Sequence, residues 1–504
     1  MGEVSGPKML ICGSCADSSR RGTYLPGTYG TPAATVASGS SSMRAAVTLE
    51  PRFEAVRVRA RESSVLVLRL AAIAGFTGAL FGYDISSTND AIAFMQKRFG
   101  LSSLDKGLVV SALLLGALAG ALVAGKLADT WGRRPTVVLA GLTAAVGALT
   151  TAAATDLAML LAGRLVIGLA VGVTSAIAPL YIAELAPAST RGSMVALYQL
   201  SLTLGILAAL AVGAAFAPTA NWRVMIAAGA VPAVAQVLAM AIVPESPRYL
   251  VARGRLDGAR RVLTRLRPAG DVDRELADIA EAHRTTAEAR YRDVFARAAR
   301  PALIIGVGAA LMNALVGVGA VIYYSTDVFR AAGIGGPELA SLAVGALNTV
   351  MTVVAVALIA RFRRRVLLLA GLSGIVAGLV VAGVALQLPT STATGWIIVV
   401  GLLGFIASFA ISAGPIAWLL VAEVFPLGIR GRAASFATST NWAANLVLAL
   451  LFPLVVGTPG VPERVGIAFL AYAAISLGFI AFVARLVPET KDRTLEQIQA
   501  DLQR

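Results

Sequence analysis

Two ionisable residues interrupt tracts that are otherwise apolar: Asp84 in LFGYDISSTND and Arg164 in LAGRLVIGLAVG. An unpaired charge in the middle of a bilayer costs about 2.5 to 3.5 kcal/mol on an insertion scale, so each needs a partner. If they pair, a proton taken by the carboxylate releases the guanidinium, which stays charged throughout. The chemistry on offer is reversible proton binding at Asp84, and a permanent structural ion pair is the alternative. A second set of polar or aromatic residues also sits in apolar surroundings: Gln199, Asn313, Tyr323, Tyr324, Asn348, Trp418, Asn441 and Trp442. Amides both donate to and accept from hydroxyl groups, and aromatic faces stack on apolar ring faces, which suits a small hydroxyl-rich ligand. The competing reading is helix-to-helix hydrogen bonding and core aromatics.

A third group is charged and lies between apolar tracts. In GKLADTWGRRP, Gly125 to Pro135, Asp129 stands close to Arg133 and Arg134, while Gly125 and Gly132 allow tight turning. Such residues latch helix ends by charge-assisted hydrogen bonds, and Glu184 and Arg191 supply further partners. A latch that breaks and re-forms is a gate; one that never breaks is a static clamp. The string ELAPASTRG, from Glu184, returns 239 residues later as EVFPLGIRG, from Glu423, with Arg430 in the place of Arg191. PESPR, from Pro244, is echoed by PETKD, from Pro488. The second copy of the charged turn reads ALIARFRRRV, where Ala360 replaces the acid, so its latch is weakened.

The elements that position these residues are set by composition. Of 504 residues 57% are hydrophobic and 14% charged, with a mean hydropathy of +0.78, too apolar for one water-soluble core. Apolar spans of about 20 residues, enough to cross ~30 Å of hydrocarbon as helix, recur. They fall near 65–92, 107–127, 135–153, 157–182, 193–215 and 222–243, and again near 301–326, 338–360, 366–387, 395–422, 433–456 and 464–486. None alternates as a β-barrel strand would. The expected fold is an all-α membrane protein of twelve transmembrane helices in two pseudo-symmetric six-helix halves, 65–243 and 301–486. A plan of that kind places a solute site between the halves near mid-membrane. By helix rise, Asp84 and Arg164 fall within about a turn of each other. Pairs of small residues, Gly116 with Gly120 and Gly168 with Gly172, allow close helix approach.

Residues 244–300 alternate acid and base with Leu and Ile at helical intervals, the pattern of an amphipathic linker. Residues 1–64 are poor in large apolar side chains and are expected to be a disordered extension; 487–504 form a tail. Arginine-rich connections at 133–134, 253–261 and 361–365 place the linker and both termini in the cytoplasm of a multi-pass cell-membrane protein. The net charge of +15 lies in these short connections, which argues against a nucleic-acid partner. Cys12 and Cys15 lack the second ligand pair of a zinc site, and His283 falls in the charged linker. No nucleophile, metal or phosphate-loop constellation suggests an enzyme.

Taken in order, GKLADTWGRRP, the twin E-x-x-P-x-x-x-R-G strings, PESPR, YQLSLTLGIL, GPIAW and PETKDRTLEQI resemble the sugar porter family of the major facilitator superfamily over residues 66–500. The resemblance implies a proton-coupled sugar symporter that needs no cofactor beyond the coupling proton and works as a monomer in the bilayer. It implies Asp84 as the span-one acid and Arg164 as its partner. Gln199, Asn348, Trp418 and Asn441 match sugar-contacting positions, and Tyr323 a seventh-helix tyrosine. The seventh span departs from the family's QQ-x-x-GIN: Asn313 and Ala314 stand at the glutamines and Gly319 at the asparagine. Each lost buried hydrogen bond is worth about 1 to 3 kcal/mol, so a typical hexose should bind less well. Two rivals are a drug/proton antiporter, whose fifth span would carry GP-x-x-GG, and a non-transporting sensor. Residues 193–217 contain no proline.

Overall fold

Inside a bilayer no water is available to main-chain N–H and C=O groups, so each apolar tract satisfies its own as a helix. A computed structural model describes residues 70, 73–186, 191–266, 272–286, 291–322, 337–389, 391–426, 429–456 and 461–491. The first half consists of α1 (Thr77–Phe99), α2 (Ser103–Trp131), α3 (Arg133–Ala152), α4 (Leu157–Leu185), α5 (Arg191–Phe216) and a broken sixth element, α6 (Trp222–Ala227) with α7 (Ala230–Ile242). Three short helices follow: α8 (Pro247–Ala252), α9 (Leu256–Leu266) and α10 (Val272–Thr286). The second half holds α11 (Arg300–Leu315), α12 (Pro337–Arg361), α13 (Arg364–Ala385), α14 (Thr392–Ile411), α15 (Ala413–Glu423), α16 (Arg430–Val456) and α17 (Pro462–Leu486).

Eleven stretches among the described residues are long and apolar enough to cross a membrane, with α6–α7 and α14–α15 each making one crossing. Helix α1 is the twelfth. Its run from Asp84 to Asp90 is polar but buried, which hides it from a hydropathy count. The helix continues past the expected end near 92 to Phe99, with Lys97 and Arg98 exposed in its last turn, and Gly100 caps it at φ 65°.

Small residues set the helix spacing. A Cβ at Gly116 or Gly120 would strike the carbonyl of Leu165 or Leu169, and one at Gly168 or Gly172 the carbonyl of Leu113 or Ala117, so α2 and α4 pack backbone to backbone. The halves meet through two matching contacts, α2 on α16 and α12 on α5. In the second, Thr349 donates to the Thr203 carbonyl at 3.2 Å and Gly345 faces Leu207 and Leu210.

Helix breaks cluster toward the centre. Pro415 has no N–H to continue the ladder, and the chain turns at Ser412 between α14 and α15. The end of α11 is followed by Gly317 at φ 93°. In the linker, α9 and α10 bury Leu263 and Leu276 with Leu250, and Arg260 pairs with Asp273 at 2.7 Å. Tyr323, Tyr324, the extension 1–64 with its two cysteines, and 492–504 lie outside the described residues, as do the side chains of Arg191 and His283.

Candidate functional site

A cavity sits between the halves at the level of the helix breaks. It is walled by Phe81 and Ile85 of α1, Gln199, Leu202 and Ile206 of α5, Asn313 of α11, Gly319, Asn348 of α12, Trp418 of α15, and Asn441, Trp442 and Asn445 of α16. Six residues singled out in the sequence, Gln199, Asn313, Asn348, Trp418, Asn441 and Trp442, thus converge from five helices. The volume open to the centre of a water-sized molecule is about 60 Å³. At roughly 10–15 Å³ per water, that admits a few waters.

Its polar groups divide into two kinds. Asn441 donates to the Ala310 carbonyl (2.7 Å) and to Asn313 Oδ1 (3.3 Å), and Asn445 donates to Asn441 Oδ1 (3.2 Å), a chain of three amides along one wall. Across from them, Gln199 Oε1 and Asn348 Oδ1 are buried without a hydrogen-bond partner among the described residues. A buried, unbonded amide oxygen costs about 1 to 3 kcal/mol, which a ligand hydroxyl or a water recovers. Trp442 packs against Phe81 with the rings tilted by 52° (centroids 5.0 Å apart) and donates from Nε1 to Ser175 Oγ of the other half at 3.1 Å. Asn445 escaped the sequence reading, although it stands one helical turn beyond Asn441 and so shares its face. Gly319 lies on the wall and Ala314 is fully buried, so the seventh span contributes one amide here.

Asp84 lies behind this wall, next to Ile85, and both it and Arg164 are 2% exposed. Arg164 lies within electrostatic reach of the Asp84 carboxylate, while hydrogen bonds of its guanidinium go to main-chain carbonyls. Arg164 Nη1 donates to the main-chain carbonyl of Asp84 at 3.3 Å, and Nε to that of Val109 at 3.4 Å. One carboxylate oxygen lies at the break between α6 and α7, where a Cβ on Gly229 would come within 3.0 Å of Oδ1. Oδ2 is buried without a hydrogen-bond partner among the described residues. The missing side chain at Gly229 makes the room, and Tyr83 fixes the same break by donating to the Met225 carbonyl at 2.8 Å. A second buried acid on this helix, Asp90, went unnoticed in the sequence; it accepts from Asn89 at 3.3 Å and packs against Gly213.

The charged turn forms a network. Arg133 grips Glu184 with Nη2 to Oε1 and Nε to Oε2, both 3.2 Å, and reaches Asp129 at 3.5 Å. Arg134 is directed elsewhere, donating to the Met240 and Ala241 carbonyls at 2.9 and 2.6 Å. Gly125 faces Ser435 and Gly431 of α16, and Arg432 of that helix lies within electrostatic reach of Asp129. Gly132, at φ 101°, leaves space for Glu245. That carboxylate accepts from the N–H groups of Arg133 (3.0 Å), Arg134 (3.2 Å) and Ser246 (2.8 Å), capping α3. Burial pushes the Glu245 carboxyl above the ordinary glutamate range, against the pull of those three N–H donors and of the Arg133 charge.

In the second half Glu489 caps α13 in the same way, through Arg364 (3.1 Å) and Arg365 (3.3 Å). Both caps come from the PESPR and PETKD strings, whose echo the sequence displayed without disclosing its task. Arg430 bonds the Phe425 carbonyl (3.0 and 3.1 Å), and Glu423 is buried at the end of α15.

Twelve helices in two matched halves, closed on one amide-lined cavity and latched by charge at one end, define a secondary transporter of the major facilitator superfamily. The chain belongs to the sugar (and other) transporter family, whose sequence profile matches residues 70–502. It is 38% identical over 430 residues to the putative metabolite transport protein YwtG of Bacillus subtilis, covering 84% of this chain and 93% of that one. It is 35% identical to the glucose transporter GlcP of Staphylococcus epidermidis, covering 84% and 95%. Among solved structures it resembles the proton:xylose symporter XylE of E. coli bound to 6-bromo-6-deoxy-D-glucose, with a TM-score of 0.78 and 27% identity, covering 87% of this chain and 100% of XylE.

Proposed function

We propose that the protein carries a sugar or a related polyhydroxylated solute inward by alternating access, driven by a proton that Asp84 takes up. The observation that carries this reading is the cavity: amides of Gln199, Asn313, Asn348 and Asn441 face one another beside Trp418, and two of their oxygens are left without partners. Hydroxyl donors complete such a site, and the indole ring stacks on an apolar sugar face. The kinship with XylE, described as a proton:xylose symporter, supports the proton as the coupling ion. The solute is smaller or carries fewer hydroxyls than a typical hexose, because Ala314 and Gly319 remove two amides from the seventh span.

In this reading Arg164 holds α1 by its main chain, so protonating the Asp84 carboxylate changes the charge facing Gly229 while α1 stays tethered to α4. Phe81 and Ile85, on the same helix, pass the change to the cavity wall. The arginine-rich face with the linker and both termini is cytoplasmic. There Gly125, Asp129, Gly132, Arg133, Glu184 and Arg191 form the gate with Arg134, Glu423 and Arg430, and the unit of transport is the monomer.

Uptake of labelled sugars and polyols into proteoliposomes, with and without an inward pH gradient, tests the proposal. Concentrative uptake that requires the gradient is expected. Asp84→Asn should abolish accumulation yet leave solute exchange; a mutant that accumulates as the parent does rules out the role given to Asp84.

A further inference from the structure

On the face that carries the linker, α9 lies across the end of α3 and leaves a groove of about 750 Å³. Its floor is Val138, Leu139 and Leu142 of α3, a membrane-crossing helix; Leu139 and Leu142 are 45% and 50% exposed. Its rim is Arg255, Arg261 and Arg265, all exposed. None of the three takes part in an ion pair among the described residues, whereas their neighbour Arg260 is paired with Asp273. The one acid in the lining, Glu245, spends its carboxylate on the α3 cap, and Arg134 is tied to main-chain carbonyls. Trp131, half exposed, closes one end at the level where indoles favour the membrane interface.

The groove therefore pairs an apolar floor facing lipid tails with three uncompensated guanidinium groups at headgroup height. A soluble phosphate ester would satisfy the rim and leave the floor bare, and a zwitterionic lipid would satisfy the floor and bring no net charge to the rim. We propose that this groove binds an anionic phospholipid of the linker-side leaflet, its phosphate held by Arg255, Arg261 and Arg265 and an acyl chain lying along Val138, Leu139 and Leu142. A guanidinium fork matches phosphate geometry. The bound lipid would bridge the first half and the linker, since its headgroup and its chain contact different elements.

Trp131 supplies the readout. In full-length protein carrying Trp396→Phe, which removes the other strongly exposed indole, fluorescence in nanodiscs is followed as phosphatidylglycerol with brominated chains replaces unlabelled lipid. The control is phosphatidylcholine brominated in the same way. Phosphatidylglycerol should quench Trp131 at a much lower mole fraction. Replacing each arginine by glutamine should weaken that preference roughly fivefold, and Arg255→Gln, Arg261→Gln and Arg265→Gln together should erase it. Excess soluble glycerol phosphate should not compete. Equal quenching by the two lipids in the parent, a preference that survives the triple change, or its loss to glycerol phosphate would each overturn the assignment. The parent comparison decides by itself should the triple variant fail to fold.

Discussion

In the first half the turn between α2 and α3 gathers Asp129, Arg133 and Glu184 into one charge network; the matching turn between α12 and α13 has Ala360 in place of Asp129 and Arg364 in place of Arg133. Arg364 is as buried as its counterpart's setting would suggest, at 9% exposure, yet its guanidinium makes no ion pair among the described residues and its Nε lacks a hydrogen-bond partner there. What the two turns share is the cap: Glu245 on one and Glu489 on the other hold the free N–H groups that open the following helix. The shared feature is what the fold needs twice, and the feature found once is what sets the halves apart.

The largest effect should come from removing the arginine that has a partner. Arg133→Met leaves Glu184, 15% exposed, without its cation, and breaking a mostly buried pair costs roughly 3–5 kcal/mol. Arg364→Met takes away a buried charge with no such partner and should cost under about 1 kcal/mol. Thermal unfolding of the two purified variants measures the contrast. Equal losses would mean that the second turn is wired as fully as the first.

The caps should show the opposite pattern, a smaller effect that is the same in both halves. Each carboxylate accepts from main-chain N–H groups at a helix start, and deleting such a cap costs about 0.5–2 kcal/mol. Glu245→Ala and Glu489→Ala should therefore lower the unfolding midpoint by similar amounts, each less than Arg133→Met does. A Glu489→Ala loss several times larger would break the equivalence of the two turns.

The particular residues show where sequence reasoning reaches and where it stops. Twelve helices and two halves could be read because hydropathy and the 239-residue repeat are properties of the chain itself. Gln199, Asn348, Trp418 and Asn441 could be nominated because an amide or indole in an apolar tract is costly unless used. The hydrogen bonds of Arg164 to main chain could not be read: residue types say that a guanidinium and a carboxylate attract, but not that the carbonyls of Asp84 and Val109 face the guanidinium while Asp84 Oδ1 lies by Gly229. The caps by Glu245 and Glu489 were hidden for a similar reason, since each joins segments more than 100 residues apart. Helix α1 ran past its expected end because hydropathy marks where the apolar tract stops, not where the helix does: its last turn carries the exposed Lys97 and Arg98 and closes only at Gly100.

The smallest effect lies in the link between halves, and it can be moved from one side to the other. Asp129 lies within electrostatic reach of Arg432, which sits two residues after Arg430. Counting from the repeated strings, the residue matching Arg432 is Ser193, two after Arg191. Helices α5 and α12 run antiparallel with Thr203 against Thr349, so continuing ten residues from each brings Ser193 level with Ile359, beside Ala360. Both members of the cross-half pair are thus missing on that side. Asp129 is 51% exposed, so its attraction to Arg432 is screened by water and worth under about 1 kcal/mol. Asp129→Asn should shift the balance between the latched and unlatched arrangements by a fewfold at most, toward unlatched. The double change Ala360→Asp with Ser193→Arg should shift it by a similar amount the other way, more than either single change does. Distances between spin labels placed on the ends of α2 and α16, and of α5 and α12, read both populations. If the double variant behaves as the sum of its singles, the two positions do not face each other and the pseudo-symmetric placement of the latch is wrong.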